Sequence, residues 1–206
     1  MTKKSIQLIT ISVLITFVVV SLGFISYIKY LDGKENKLSK VPQNRIQINN
    51  KQDSLLLKEQ GMVDFNANEN KAIVLIEHYQ KDKLKEKKEL LSVSAESGTK
   101  EKISGRIQWG MFNKEGFENN LMVAIESNEG IQTSTEYMMK SKTSGGTSIG
   151  FNPDGYEIGK KRKYALGVWG FGEEAITSSP DIETGELDIE AMASNDDSFI
   201  LYVMFK

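Results

Sequence analysis

Ile103, Gly105, Ile107, Trp109 and Met111 fall on one side of an extended chain, and Ser104, Arg106 and Gln108 on the other. A period of two is the period of a strand, so this run predicts a β-strand with Trp109 in the core. Leu121, Val123 and Ile125 form the inward face of the next, and Ile131, Thr133, Thr135, Tyr137 and Met139 repeat the logic, with turn residues at 113–116 and 128–130. Such runs, recurring along residues 71–206, predict a mainly β fold: an antiparallel β-sandwich-like domain of about 8 short strands.

Other stretches fill in this plan. In residues 71–80, Ala72, Val74 and Ile76 share one face while Ile73 and Leu75 share the other, as in a strand covered on both sides. Leu91, Val93 and Ala95 alternate in the following run. Residues 198–205 are apolar on both faces, which predicts a central strand or one beneath a covering element. Residues 163–171 read as a strand, as do residues 181–193, where Leu187, Ile189, Ala191 and Ala193 alternate with Asp188 and Glu190. Residues 141–150 read as a flexible Ser, Thr and Gly loop, and Asn152-Pro153-Asp154-Gly155 and Glu183-Thr184-Gly185 as turns.

The N-terminal region has another character. Between Lys4 and Lys29 lie 24 residues without a charge, rich in Ile, Leu, Val and Phe. At about 1.5 Å of rise per residue, a helix of this length crosses a hydrocarbon core of roughly 30 Å. A cleaved signal peptide would have a shorter apolar region. Ser21-Leu22-Gly23 resembles a cleavage site, but residues 24–28 continue the apolar run, which favours a retained anchor. The chain therefore divides into a basic tail (1–5), a transmembrane signal anchor (6–28), a polar juxtamembrane linker (29–70) and the β domain (71–206). Within the linker, Asp53 as an N-cap and Gly61 as a stop predict a short helix at 53–60.

Orientation rests on two opposed signals. Lys29, Lys34, Lys37 and Lys40 outnumber Lys3 and Lys4, which by the positive-inside rule favours a cytoplasmic domain. The very short N-terminal tail suits an ordinary signal anchor, and long domains translocate largely regardless of charge. The expectation is a single-pass protein of the cell membrane with an extracytoplasmic C-terminal domain. Its lipid contact is the bilayer around residues 6–28.

Composition narrows the chemistry. The absence of cysteine removes disulfides, thiolate metal sites and cysteine nucleophiles. The abundance of Lys, Asn, Ile and Glu has the flavour of a low-GC Gram-positive bacterium. A net charge of -2 conceals segregation: residues 164–205 contain no Lys or Arg, whereas Lys81, Lys83, Lys85, Lys87 and Lys88 crowd together. Charged residues between two strands commonly protect a hairpin or edge. The acidic balance and the absence of a recognition motif argue against nucleic acid as a partner.

Chemical motifs are sparse. His78, the one histidine, has no Gly-x-Ser-x-Gly nucleophile motif to serve and reads as a surface histidine at a strand end. Asp64-Phe65-Asn66-Ala67-Asn68 begins like a calcium loop but fails at Glu69 and Leu75, where Gly and a bidentate Glu belong. Residues 144–148 lack the lysine and helix of a phosphate loop, and residues 194–198 read as a solvated acidic turn. No catalytic residue, cofactor or metal ligand is assigned.

Two groups remain as partner-binding candidates. Trp169 and Phe171, interleaved with Gly167, Gly170 and Gly172, suit either a central strand or an aromatic platform for a protein or glycan. Strict alternation puts them on one face with Ala165, and Tyr164, Leu166 and Val168 on the other. Lys81, Lys83 and Lys85 suit anionic groups. The leading expectation is a non-enzymatic binding or accessory module of a bacterial envelope assembly, with a protein partner. The alternative is a binder of anionic wall polymer or glycan, with a surface hydrolase third.

Overall fold

A computed structural model describes residues 41–49, 58–95, 102–114, 117–127, 132–142, 146–181 and 183–206. The expected membrane helix falls outside these residues. Among the described residues, no helix is long and apolar enough to cross a membrane.

Eleven strands are present among the described residues: β1 (Arg45–Ile48), β2 (Lys58–Asn66), β3 (Lys71–Gln80), β4 (Lys83–Ser94), β5 (Ser104–Lys114), β6 (Phe117–Ser127), β7 (Gln132–Met138), β8 (Gly146–Gly150), β9 (Tyr156–Glu157), β10 (Lys163–Phe171) and β11 (Asp197–Phe205). They form two antiparallel sheets, ordered β7-β6-β5-β2-β1-β9 and β4-β3-β11-β10-β8. The mainly β, sandwich-like architecture agrees with the sequence reading, and β11 is central, as its two apolar faces require.

The core lies between the sheets. Val63, Phe65, Ile107, Trp109, Leu121, Val123 and Ile125 from one sheet join Val74, Ile76, Leu166, Leu201, Val203 and Phe205 from the other. At one end, aromatic rings close the interior: Phe65 meets Phe205 at 5.3 Å, and Tyr156 meets Tyr164 at 5.6 Å between centroids. Close packing also exploits glycine. A Cβ on Gly61 would lie 2.0 Å from the Trp109 ring, and one on Gly167 would lie 2.6 Å from the Trp169 ring.

Four segments differ from the sequence reading. The span taken as a linker contributes β1 and β2 to the six-stranded sheet, and residues 58–60 are strand rather than helix. Residues 53–57 lie outside the described residues. Ile46, Val63, Phe65 and Ala67 are fully buried, but Met62 beside Val63 and a bulge between Lys58 and Gly61 interrupt their alternation; on the outer side Asp64 accepts from Arg106 Nε at 2.8 Å and from Asn49 Nδ2 at 2.7 Å. The Ser, Thr and Gly stretch supplies β8, hydrogen-bonded along β10.

Residues 181–193 are not a strand. β10 already pairs with β8 and β11, and β11 with β3, so no central edge is open to them. Instead Leu187, Ile189 and Met192 cover the outer face of the five-stranded sheet over Leu75, Ala165, Val168, Ile200 and Tyr202. Asn195 fastens this segment. Its side chain is buried, exchanges hydrogen bonds with both backbone groups of Ile176 (2.7 and 2.8 Å), and donates to Ser198 Oγ at 2.9 Å.

The fourth difference is a bulge between Ala165 and Gly167. It places Tyr164 and Leu166 in the inner core with Trp169 and Phe171, and Ala165 with Val168 on the outer face. Strict alternation assigned these residues the other way because a bulge shifts the register by one. The turn at Asn152 is as expected: Gly155 N donates to Asn152 O at 3.1 Å, and Gly155 has a φ of 69°. The turn at Glu183 is likewise present, with Asp181 Oδ1 accepting from the backbone N–H of Glu183 and Thr184.

Candidate functional site

Opposite the aromatic end, the inward positions of the strands turn polar. Asp197 opens β11 and shares its inner parity with Phe199, so its carboxylate points between the sheets and is 3% exposed. The register of β11 on β3 pairs Phe199 with His78, whose ring stacks on it at 4.3 Å with an interplanar angle of 6°. His78 Nε2 lies 2.8 Å from Asp197 Oδ1. Ser141, which follows β7, donates to Asp197 Oδ2 at 3.1 Å.

The next inner pair continues the pattern. Glu86 on β4 lies opposite His78 and accepts a 3.0 Å hydrogen bond from Tyr137 Oη on β7 of the facing sheet. Lys88 Nζ sits 5.4 Å above the Tyr137 ring. Burial pushes the Tyr137 hydroxyl up from its ordinary pKa, and the Glu86 carboxylate reinforces the shift. β4 and β7 are both edge strands, so this contact ties one sheet edge to the other.

Two clefts flank the cluster. One, of about 440 Å³, is lined by His78, Glu86, Lys88, Tyr137, Lys140 and Phe199, among others. The other, of about 450 Å³, is lined by Gln80, Lys81, Asp82, Lys83, Lys85, Lys142, Asp196 and Asp197. The charge segregation of the sequence is thus partly local: a basic hairpin lies against the carboxylates that begin β11.

A hydrolytic relay places histidine between serine and carboxylate, so that the imidazole takes the serine proton. Here the carboxylate stands between His78 and Ser141, and the Ser141 hydroxyl donates to it. That order makes a latch joining β3, β11 and the residues after β7. In that order the imidazole is not the group that faces the Ser141 proton.

The residues singled out in the sequence fall in two places. Lys81, Lys83 and Lys85 line the second cleft, joined by Lys142 from a distant part of the chain. Lys81 is at the β3–β4 turn with a φ of 57°, and Lys83 and Lys85 are exposed on β4. Trp169 and Phe171 do not form an exposed platform. They are 3% and 5% exposed, with Trp169 Nε1 donating to Glu59 Oε2 at 3.1 Å and Phe171 edge-on to Phe199 at 5.8 Å. Of their glycines, Gly167 seats the Trp169 ring, while Gly170 seats the Asn195 side chain and the Ile176 carbonyl.

Asp64 and Asn66 lie in β2, not in an ion-binding loop, and among the described residues no group of three metal-ligating side chains occurs. Asn195 and Asp197 are buried rather than part of a solvated turn. Ser141, Lys142, Glu86, Tyr137 and Asp197 escaped sequence reasoning as a group because they come from three separate segments, β4, β7 with the residues after it, and β11. One signal was present: a carboxylate two residues before Phe199, on the face its strand buries.

Comparison with known proteins gives a family and no function. Residues 34–205 match the YgaN domain model, so the chain belongs to the YgaN domain family. No curated protein and no solved structure matches the chain.

Proposed function

We propose that this member of the YgaN domain family is a single-pass, membrane-anchored, non-enzymatic binding module of a bacterial cell envelope assembly, its sandwich held outside the bilayer. The uncharged run before Lys29 supports the anchor. The observation that carries the binding reading is the polar end of the sandwich. At this end the inner faces of β3, β4 and β11 carry the half-buried His78, the buried Asp197 and the exposed Glu86 and Lys88 in place of apolar side chains, around two open clefts. Departures from core patterning concentrate where function is placed.

Two measurements on intact cells test the reading. With a photocrosslinking residue at Met138, which is 42% exposed beside the first cleft, a discrete crosslinked protein is expected in the membrane fraction. External protease should remove the domain from cells stripped of their wall. Digestion only after lysis overturns the extracytoplasmic placement, and recovery of the full chain in the soluble fraction overturns the anchor.

A further inference from the structure

We infer that the cleft beside Asp197 binds phosphate groups of a linear phosphodiester polymer bearing hydroxyls. This rests on reading the polar end of the sandwich as a binding surface, and it names a ligand for that surface.

The lining decides the chemistry. Lys81, Lys83, Lys85 and Lys142 bring four ammonium groups to a cavity of about 450 Å³. Ammonium groups bind phosphate oxygens as point charges, and four of them along one cleft suit the successive phosphates of a flexible chain better than a single anion. Three carboxylates also line the cleft, Asp82, Asp196 and Asp197. Asp197 is engaged by His78 and Ser141. Asp82 and the exposed Asp196 can accept hydrogen bonds from ligand hydroxyls. Cations for phosphate beside acceptors for hydroxyl describe a ligand in which the two groups alternate.

The latch gives the cleft its fourth lysine. Lys142 follows Ser141, and the hydrogen bond from Ser141 to Asp197 fixes that part of the chain against β11. His78 holds the same carboxylate by its other oxygen. Asp197 is therefore a positioning residue for the wall of the cleft.

A planar anionic membrane fits less well. Glu173 and Glu174 are exposed just after Phe171, whose carbonyl accepts from the Asp196 N–H, so a flat charged surface laid on the cleft would meet carboxylates at its rim, while a single polymer strand can enter the cleft alone.

The test is a titration of the purified full chain, in nanodiscs of phosphatidylcholine, with fluorescently labelled poly(glycerol phosphate) at several salt concentrations. Four lysine contacts predict a slope of log K against log salt of about −3, taking roughly −0.7 per contact as for other flexible phosphate chains. Replacing Lys81, Lys83, Lys85 and Lys142 together with Gln should abolish most of that slope and weaken binding at least about tenfold at low salt. K102Q with K160Q, exposed lysines outside the lining, should leave both unchanged. Equal loss in this control, or an unchanged slope in the cleft variant, overturns the site. Binding that phosphatidylglycerol in the nanodisc suppresses only while the four lysines are present would assign the cleft to lipid headgroups and overturn the polymer. Failure in this titration with a protein still crosslinked at Met138 would remove the ligand and leave the envelope-binding reading standing.

Discussion

Lys163 places its ammonium 2.8 and 2.9 Å from the two carboxylate oxygens of Glu77, a residue 1% exposed on the outer face of β3. Tyr79 Oη donates to the same carboxylate at 3.0 Å, Lys87 Nζ approaches to 3.3 Å, and the Lys163 ammonium lies 4.7 Å over the Tyr202 ring. Burial opposes ionisation of Glu77, but the hydrogen bonds and charge of Lys163, aided by Tyr79 and Lys87, outweigh it and hold the carboxyl below the usual range.

The sign of the pH dependence follows. A carboxyl whose folded pKa lies below its unfolded value contributes stability above the ordinary glutamate range, about pH 4.3, and loses it as pH falls through the folded value. Urea unfolding of the wild type should therefore shift to lower midpoint between about pH 6 and about pH 3, and E77Q should show a smaller shift. K163M should cost about 2 kcal/mol at neutral pH, less than full burial would give because the lysine side chain is 36% exposed. An E77Q profile parallel to wild type would remove Glu77 from the acid response.

Glycine substitutions should divide sharply. G61A puts a methyl 2.0 Å from the Trp109 ring, whereas G150A meets nothing within 4 Å. Overpacking predicts a loss of about 2–3 kcal/mol for the first, read as a lower denaturation midpoint. The second should change stability by less than about 1 kcal/mol, in the stabilising direction, because alanine loses less backbone entropy. Similar losses for both would contradict the packing argument.

Asn195 should control the cover over the five-stranded sheet. N195A removes three hydrogen bonds and strands both backbone groups of Ile176, at a cost of about 2–3 kcal/mol. Amide exchange should quicken through residues 173–194 before the core strands respond. Acceleration spread evenly over both sheets would show that the side chain serves global stability alone.

The order of the latch predicts chemical silence. A fluorophosphonate probe, which labels serines activated by a neighbouring base, should not modify Ser141, since its hydroxyl donates to Asp197. Labelling that disappears in S141A would restore the hydrolase reading.

Much of the fold was legible in local pattern. The alternation at Ile103–Met111 produced β5, and the doubly apolar C-terminal run produced the central β11, because burial on one face or two leaves a period that any single strand displays. β1 and β2 do not show this period clearly, because β1 is only four residues long and in β2 the apolar Met62 beside Val63 and a bulge between Lys58 and Gly61 interrupt it. The segment before β11 has a strand's alternation, but its Leu187 and Ile189 lie over the outer face of the five-stranded sheet instead of along an edge, and that choice depends on the whole sheet. The bulge at Ala165 likewise reversed an alternation that sequence alone counts without interruption.

The same division holds for the site. By itself, the sequence determined the uncharged N-terminal run, a cysteine-free β domain and a cluster of lysines, since composition and period are properties of neighbouring residues. It did not determine that Lys142 would join Lys81, Lys83 and Lys85, or that Asp197 would stand between His78 and Ser141. Those residues are separated by 56 and 119 positions from Asp197. Only the pairing of β3 with β11 and the return of the chain after β7 bring them within hydrogen-bond reach, and the same closure buries Trp169 and Phe171, which adjacent glycines alone had left open to either face.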